Sequence, residues 1–525
     1  MTESLWIAPL EAACLVLAAL WTLVPMATRG LARLFPRVFA LLAGLLLAWC
    51  AGVVLLAVYA PAILHPLLLV MAVALAMSVF RARASHGAAR GLPPGSLSLR
   101  GSIEALVDRE FYRKRAARWG PIFKMAQFHQ PVVCVVGLAH GRRLLHEHGQ
   151  ALGPSPLRFS REIEGGFLRY MDDGRHARYG PLFRRALSAD VMDQSAPVVE
   201  DAIRRELASA ATDARQTRGS VAPDACLERI VTGAFLRALF GVAAEEKAFD
   251  DLMHALRPLR SLGLSDRPTA STRAAVGELR RLLRDLHGDR SRAPVCALTE
   301  LTRLDPQMPD DTCLDNLVFI HKITSSNVVG LLRWTLVMVS EHPRWLARLR
   351  SELQSGTPGG PPTLADRIVM ETLRLSQAEY LYRRLTSDVA FEGFVFPSGW
   401  LVRICVWESH RMEAAFADAG RFDPDRFLGR DCPRASYVPF GADRHACNGV
   451  ALTNLICRSV LQELTRAYDW RVAGHEPLQR EFRHWSHWRP GSGLRLHLSP
   501  VSAARTSASA TGPGRAAVAA GRPPL

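Results

Sequence analysis

Apolar residues recur with helical spacing through the central part of the chain. Four stretches place apolar side chains three and four residues apart and predict helices: Val198–Leu207, Leu227–Leu239, Arg273–Leu286 and Leu314–Val339. Shorter runs rich in Val, Ile and Phe predict strands at Pro131–Val136, Val389–Phe396 and Leu401–Trp407. The pattern therefore predicts a mainly α fold with a small β part. Internal repeats, a P-loop and a GxGxxG motif are missing from the sequence, which argues against nucleotide-binding classes.

The first ninety residues have a different, membrane-like pattern. Residues 38–80 carry no Asp, Glu, Lys or Arg, which is about twice the roughly 20 residues that one spanning helix needs. Pro61 and Pro66 divide this run, so we expect three spans, at about 5–27, 38–60 and 62–80. The first span is the weakest because Glu11 would lie in lipid. A cleaved signal peptide is the alternative, but three apolar runs are too many for one.

Arginines flank these spans and indicate their orientation. One group lies at residues 29–37 and another at residues 81–90, and two crossings separate them. Both groups satisfy the positive-inside rule if the large domain faces the cytoplasm. We therefore expect a multi-pass membrane segment at residues 1–90, a cytoplasmic domain at residues 91–500 that begins with the stiff linker Gly91–Gly95, and a disordered tail at residues 501–525, rich in Ala, Ser, Gly, Pro and Arg.

Charge and cysteine usage exclude several classes of function. The 65 basic residues exceed the 49 acidic ones, for a net charge of +16. The arginines are dispersed and do not accompany an aromatic platform, so we expect no nucleic-acid partner. A basic face toward anionic lipid or an acidic redox partner fits better. The ten cysteines form no CxxC pair, which argues against a zinc cluster or a disulfide framework.

One cysteine lies in a setting that favours chemistry. Cys447 belongs to a glycine-rich loop directly before the helical pattern of Val450–Ala467. Backbone N–H groups and the positive end of a helix stabilise a thiolate, which can then ligate iron. A buried structural thiol is the alternative interpretation. The loop resembles the haem-binding signature of the cytochrome P450 family, because four residues match it at their offsets: Phe440, His445, Cys447 and Gly449. Asp443 stands where the family has a glycine.

Other segments resemble the same family in the correct order. Glu371-Thr-Leu-Arg374 resembles its ExxR helix, and the segment Phe422–Phe427 resembles its FxPxRF segment. The resemblance implies that Glu371, Arg374 and Arg426 form a structural lock under the haem. It covers roughly residues 91–500 and implies haem b, iron protoporphyrin IX, as the cofactor.

Five further residues are candidates to bind the haem propionates. Anionic carboxylates pair well with Arg and His. By the resemblance, the candidates are His176 and Arg178, with Arg383 or Arg384, and His445. The family has an arginine at the position four residues after His176, where this chain has Gly180. His176 and Arg178 are therefore equally well explained as ordinary surface residues.

The predicted helix Leu314–Val339 resembles the helix that crosses above the haem. Ser326 and Asn327 occupy the positions where the family has an acid followed by Thr, which help to deliver protons to dioxygen. Neither side chain is a carboxylate, although both hold water or donate hydrogen bonds. Thr324 and Ser325 lie within one turn as partial substitutes.

The resemblance implies a haem-thiolate monooxygenase, and the apolar runs of residues 1–90 predict that it is membrane-anchored. Such an enzyme inserts one oxygen atom into an apolar or amphipathic small molecule, with electrons from an external ferredoxin or flavoprotein reductase. Two alternatives stay open. One is a related peroxygenase, isomerase or dehydratase that does not use dioxygen, as the missing acid–Thr pair indicates. The other is a haem-binding sensor or catalytically silent membrane protein.

Overall fold

The structure of the protein is a computed structural model that describes most of the chain after residue 90. Within residues 91–501 it leaves out residues 128–129, 155–166, 169–170, 218, 244, 261–269, 289–294, 357–361, 378–379, 429–435, 443–445, 475–480, 485–486 and 492. Before residue 91 it describes five helical residues, Gly44, Ala48, Ala51, Gly52 and Leu55.

None of the helices in the described part of the chain is both long enough and apolar enough to cross a bilayer. The predicted spans at 5–27, 38–60 and 62–80 lie outside the described residues, except for the five helical residues just named, which all fall in the second span. The predicted disordered tail after residue 501 also lies outside the described part.

Helices dominate the described residues, as the pattern predicts. They are α1 (Leu99–Val107), α2 (Phe111–Trp119), α3 (Leu138–His148), α4 (Asp173–Ala186), α5 (Ala189–Gln216), α6 (Pro223–Phe240), α7 (Lys247–Arg260), α8 (Ala270–Gly288), α9 (Ala297–Leu304), α10 (Asp310–Glu341), α11 (Pro343–Ser355), α12 (Leu364–Thr372), α13 (Val406–Ser409) and α14 (Val450–Ala467). A π-helical turn, Leu373–Gln377, continues α12, and 3-10 turns lie at Gly149–Ala151 and Pro424–Phe427.

The strands form one larger sheet and three small ones. They are β1 (Gly95–Ser96), β2 (Ile122–Gln127), β3 (Gln130–Val136), β4 (Leu152–Pro154), β5 (Ser220–Val221), β6 (Tyr380–Leu385), β7 (Val389–Phe391), β8 (Phe394–Phe396), β9 (Leu401–Cys405), β10 (Tyr468–Ala473), β11 (Glu481–His484), β12 (His487–Pro490) and β13 (Arg495–Pro500). The larger sheet has the order β1-β2-β3-β9-β6-β4, in which β1 is parallel to β2 and β3 is parallel to β9. The small sheets are β10-β13-β5, β11-β12 and β7-β8.

The fold class is confirmed as mainly α with a small β part, and the long helical patterns become longer helices. The run Val198–Leu207 lies inside the 28-residue helix α5, and Leu314–Val339 lies inside the 32-residue helix α10. Two strand predictions need correction. The run Val389–Phe396 is a hairpin of two strands, because Glu392 and Gly393 both have positive φ and turn the chain. The run Leu401–Trp407 ends as a strand at Cys405, after which the chain turns into α13.

The predicted linker Gly91–Gly95 is partly built into the sheet. The Val395 amide donates to the Gly91 carbonyl at 2.8 Å, and Gly95 pairs with Lys124 of β2. Gly95 has φ of 124°, and a Cβ there would approach the Lys124 carbonyl oxygen to 2.1 Å. A residue without a side chain is therefore required at this position.

The largest hydrophobic core surrounds α10. Twenty-two residues of this helix are buried, and it packs against α6, α12 and α14. A second core lies on the face of the sheet that carries Val402 and Ile404, and a third lies on the opposite face, beneath α1 and α2. The helix predicted to cross above the cofactor therefore runs through the centre of the molecule, with the sheet to one side.

Candidate functional site: a thiol loop facing a central helix

The loop that carries Cys447 is closed by its own backbone. The Cys447 amide donates to the Phe440 carbonyl at 2.9 Å, and the Gly441 amide donates to the Val438 carbonyl at 3.1 Å. The loop then leads directly into α14, whose first residue is Val450. These bonds fix the sulfur-bearing residue just before the positive end of a helix.

Cys447 differs from the other described cysteines because its side chain is exposed. Those six cysteines are all buried. The Gly449 amide donates to Cys447 Sγ at 3.3 Å. An N–H donor and a helix N-terminus both favour the thiolate form of cysteine over the thiol. The loop therefore presents an accessible sulfur beside a backbone N–H donor and a helix N-terminus, as a metal ligand requires.

Two other loop residues have structural tasks. Gly441 has φ of 85°, and a Cβ there would lie 3.3 Å from Cδ2 of Leu381 on β6, so glycine suits both the backbone and the contact. Phe440 is half-buried and packs against the main core. Asp443 and His445 lie outside the described residues.

The structure brings Glu371, Arg374 and Arg426 together. Arg374 donates to both carboxylate oxygens of Glu371, at 2.7 and 2.8 Å, and Nε of Arg426 donates to Oε1 at 2.9 Å. Glu371 and Arg374 are completely buried. The remaining donors of Arg374 bind backbone carbonyls further along the chain, those of His410, Ala419 and Arg421. The guanidinium therefore joins the π-helical turn after α12 to three carbonyls of the segment 410–421.

His410 links this network to the thiol loop. The Val438 amide donates to Nε2 of His410 at 3.1 Å, and the imidazole stacks on Tyr437 with ring centroids 5.6 Å apart. Burial, with a smaller contribution from Arg374, lowers the pKa of His410 to about 3. The ring is therefore neutral at physiological pH, as its role as an acceptor requires.

Strand β6 separates the two arginines predicted to bind a propionate. Side chains alternate between the faces of a strand, so Arg383 shares a face with Leu381, which contacts the thiol loop, whereas Arg384 lies on the other face. Arg383 is buried and donates to the Tyr382 carbonyl at 2.8 Å. Arg384 donates to the Gly399 carbonyl at 3.2 Å, and its buried Nε has no hydrogen-bond partner among the described residues.

His176 and Arg178 lie on α4. Arg178 is largely exposed and pairs with Asp305 at 3.4 Å, while its guanidinium covers the Tyr179 ring at 5.0 Å. The His176 ring lies over Gly180, where a Cβ would approach it to 3.4 Å. The glycine that replaces the family's arginine thus makes room for this imidazole.

The three predicted distal residues lie in the middle of α10. Thr324 and Ser326 are half-buried, and Asn327 is exposed. The Asn327 amide nitrogen donates back to the Ile323 carbonyl at 3.1 Å, and the Ser325 hydroxyl donates back to the His321 carbonyl at 2.5 Å. Ile323 and Asn327 are exposed although most of the helix is buried, so this turn of α10 borders open space.

Sequence reasoning missed the side chains of other segments that donate hydrogen bonds to the backbone of this helix. Arg489 donates to the Ser326 carbonyl at 2.8 Å, and Gln377 donates to the Asn327 carbonyl at 3.3 Å. Arg333 is 1% exposed and pairs with Asp224 at 2.6 Å. One signal in the sequence could have indicated these contacts. Residues 328–339 are almost entirely apolar apart from Arg333, and a buried charge needs a partner.

Comparisons with known proteins agree with this site. The family model described as Cytochrome P450 matches residues 324–493, which contain the second half of α10, the Glu371 network and the thiol loop. Abscisic acid 8'-hydroxylase 3 of Oryza sativa subsp. indica is 24% identical over 424 residues, covering 74% of this chain and 83% of the relative. Cytochrome P450 26A1 of Gallus gallus is 24% identical over 440 residues, covering 74% and 87%.

Solved structures show the same fold. A cyanobacterial CYP120A1 with retinoic acid bound superimposes with a TM-score of 0.65 at 20% identity, covering 79% of this chain and all of that one. A zebra fish cytochrome P450 with abiraterone gives a TM-score of 0.60 at 16% identity, covering 74% and 99%.

A mainly helical fold with an exposed thiol in a helix-capping loop, over a buried Glu–Arg pair, defines a haem-thiolate class of protein. The family model over residues 324–493, the curated relatives and the shared fold together support a cytochrome P450 family member, as the sequence predicted. The chain is accordingly a cytochrome P450-type oxidoreductase of the monooxygenase class.

The residues present fit the haem that this family implies. Cys447 supplies an accessible sulfur with an N–H donor on it, the correct chemistry for an axial ligand of iron. Arg383, on the face of β6 that meets the thiol loop, supplies a buried cation suited to a carboxylate. Arg384 lies on the other face of β6 and already donates to the Gly399 carbonyl.

Proposed function

We propose that the protein is a membrane-anchored haem-thiolate monooxygenase. It inserts one atom of dioxygen into an apolar or amphipathic small molecule, and it receives electrons from a separate ferredoxin or flavoprotein reductase. The observation that carries this proposal is the exposed Cys447 thiol, held by the Phe440 carbonyl and by the Gly449 amide at the start of α14. When bound, haem b would supply the redox chemistry, since a thiolate ligand favours O–O cleavage.

Residues of this chain would hold the haem in place and supply protons to the reaction. Cys447 would hold the haem iron, and the Gly449 N–H would stabilise negative charge on its sulfur. Arg383 and His445 would neutralise the propionates, whereas Arg384, on the other face of β6, is a weaker candidate. Glu371, Arg374 and Arg426 hold the preceding segment rigid. In the middle of α10, Thr324, Ser326 and Asn327 would hold water for proton delivery. His176 and Arg178 are weaker candidates, because the Arg178 side chain is already paired with Asp305.

The test is the absorption spectrum of the reduced protein under carbon monoxide. We expect the red-shifted band of a thiolate-ligated haem in the full chain, and its complete loss in Cys447→Ala. Cys226→Ala, at a buried cysteine on α6, is the matched control and should keep the band. Persistence of the band in Cys447→Ala would exclude this sulfur as the ligand.

The substrate is proposed from chemistry shared by the relatives. One relative is named for abscisic acid and one structural neighbour binds retinoic acid. Both ligands are amphipathic carboxylic acids, so we choose these two compounds as first probes. A substrate-induced change of the iron spin state on titration would identify the class, and hydrocarbons without the acid group serve as comparison.

A second function is favoured by one observation. Ser326 and Asn327 replace the acid–Thr pair, so a peroxygenase, isomerase or dehydratase that does not use dioxygen is the alternative. Turnover with peroxide alone, compared with turnover with dioxygen and an electron-transfer system, separates the two. A protein inert under both conditions would instead be a haem-binding sensor or a catalytically silent membrane protein.

The membrane anchor and the cytoplasmic orientation rest on the sequence pattern of residues 1–90. An apolar substrate could then enter from the bilayer, and the same anchor would hold the enzyme near its electron donor. Protease protection of sealed vesicles tests the orientation, because residues 91–501 should be cleaved only from the cytoplasmic side.

A further inference from the structure

Strand β12 is tied to the central helix α10 by side chains of the helix. Nε1 of Trp334 donates to the Trp488 carbonyl at 3.0 Å. Nη2 of Arg333 donates to the carbonyls of Pro490 and Gly491, at 3.1 and 3.0 Å. Arg333 itself is held by Asp224 on α6. These bonds fix the position of β12 relative to the carboxyl-terminal half of α10.

From this fixed strand, Arg489 reaches back along the helix. Its Nη2 donates to the Ser326 carbonyl at 2.8 Å. On the neighbouring carbonyl, that of Asn327, the side chain of Gln377 donates from the π-helical turn at 3.3 Å. Two consecutive carbonyls of α10 therefore each bind a side chain from a different segment of the fold.

These bonds are additional to the helix's own. In an α-helix the carbonyls of residues 326 and 327 accept from the amides four residues later, and a carbonyl oxygen has a second lone pair for another donor. Side chains that bond to helical carbonyls are among the causes of local helix bending. The direction of this turn is thus set by Arg489 and Gln377 as well as by the helix.

The same turn is where α10 borders open space and where the proton-handling residues are proposed. Ile323 and Asn327 are exposed there, one turn apart. Arg489 is 7% exposed, and burial together with Arg333 lowers its pKa to about 10. It therefore keeps its proton at neutral pH and remains a charged donor to the Ser326 carbonyl.

We propose that Arg489 is a positioning residue for the reaction. Anchored on β12 and assisted by Gln377, it fixes the turn of α10 that carries Ser326 and Asn327, the proposed proton-handling residues. The inference rests on the proposed function, since this turn matters to the reaction only if Cys447 holds a haem. In a chain without the family's acid–Thr pair, the placement of two weaker polar side chains depends on the backbone that carries them.

The experiment uses carbon monoxide as the probe and the full-length holoenzyme. The infrared C–O stretch of the reduced complex responds to polar groups beside the bound ligand. Arg489→Met should shift or split this band, whereas Arg489→Lys, which keeps the charge, should retain the wild-type band as its main component. Gln377→Leu should produce a smaller change. Arg495→Met, at an exposed arginine on β13, is the matched control and should leave the band unchanged.

Amide hydrogen exchange gives a second readout that does not need the haem. Loss of a charge-assisted hydrogen bond should speed exchange of peptides covering residues 323–331 about tenfold in Arg489→Met, and less in Gln377→Leu. If Arg489→Met does not fold, Arg489→Lys and Gln377→Leu carry the test in the same two measurements.

The proposal is overturned if Arg489→Met keeps the wild-type C–O stretch. Faster exchange with an unchanged stretch also overturns it, because Arg489 would then only stabilise the fold. A wild-type protein without the thiolate absorption band contradicts the proposed function instead, and this outcome is recognised before any Arg489 variant is made.

Discussion

At the scale of single residues, the Glu371–Arg374 pair shows how a buried charge is accommodated. Both side chains are completely buried, and the guanidinium has a carboxylate and three carbonyls as partners. Because Glu371 is also bonded to the Asp423 amide and to Arg426, its negative charge has four donors around it. Such a pair is costly to break from one side only.

Glu371→Gln should therefore destabilise the fold strongly. We expect a loss of about 3–5 kcal/mol in the free energy of unfolding, since one buried guanidinium loses its counter-charge. Urea denaturation followed by circular dichroism measures it. Glu278→Gln, which removes an exposed carboxylate paired with Arg281 on α8, should have no measurable effect. Equal effects of the two substitutions would contradict the buried-charge argument.

His410 should make the protein sensitive to acid. Its pKa is about 3 in the folded chain and about 6.5 in the unfolded chain. The unfolded state therefore binds the extra proton first, so stability is retained above pH 6.5 and falls as the pH decreases toward 3, with a slope of up to about 1.4 kcal/mol per pH unit.

The measurement is the free energy of unfolding between pH 7 and pH 4. His410→Gln keeps an acceptor for the Val438 amide but does not titrate, so its pH dependence should be flatter than that of the wild type. Identical slopes for the two proteins would show that His410 does not cause the acid sensitivity.

At the scale of elements, the packing of α3 on β9 depends on a single glycine. A Cβ at Gly141 would lie 2.7 Å from Cγ2 of Ile404, a buried and β-branched side chain with little freedom to move. The helix therefore approaches the strand at a distance that only glycine permits.

Gly141→Ala should be destabilising by about 1–3 kcal/mol because the contact is overpacked, in spite of the better helix propensity of alanine. Gly277→Ala is the control. It lies in α8 with nothing within 4 Å of the new methyl group, so it should stabilise the protein by about 0.5–1 kcal/mol. Thermal denaturation of both variants measures these changes in stability. Stabilisation by Gly141→Ala would refute the packing argument.

Long elements were predictable from the sequence, and long-range contacts were not. The periodic pattern predicted α10 within four residues at its start and two at its end, and α14 from Val450 to Ala467 as the structure has it. The hairpin at Glu392–Gly393 and the end of β9 at Cys405 were missed because short apolar runs do not show where a chain turns.

In the candidate site too, the contacts between motif residues were predictable and a long-range contact was not. Motif order predicted that Glu371, Arg374 and Arg426 meet, and the hydrogen bonds between them are present. The contact of Arg489 with the Ser326 carbonyl joins residues 163 positions apart. No local pattern encodes such a pair, since it depends on how β12 packs on α10.

At the scale of the whole molecule, residues 91–501 contain a continuous set of cores, whereas residues 1–90 carry the charge-free runs. This division predicts that residues 1–90 attach the protein to the membrane, whereas residues 91–501 fold and carry the candidate site without them. The chain without residues 1–90 keeps Gly91, whose carbonyl binds Val395, and therefore keeps the edge of the sheet.

Deletion of residues 1–90 should release the protein from membranes without loss of the thiolate absorption band. We expect the full chain in the carbonate-washed membrane pellet and the shortened chain in the supernatant, because the charge-free runs supply the apolar area for insertion. Full-length protein in the supernatant would contradict the membrane anchor.

The partners of Arg374 also hold together parts of the chain that are distant in sequence. Its guanidinium binds carbonyls 36, 45 and 47 residues further along the chain, and closing such loops costs conformational entropy before any contact is gained. Contacts between distant positions form slowly. The Val438 amide, in the loop that leads to Cys447, donates to His410 of the same segment, so the position of this loop depends on that closure. A variant that weakens the Arg374 contacts should therefore also loosen the backbone before Cys447, because the Val438 amide in that loop donates to His410.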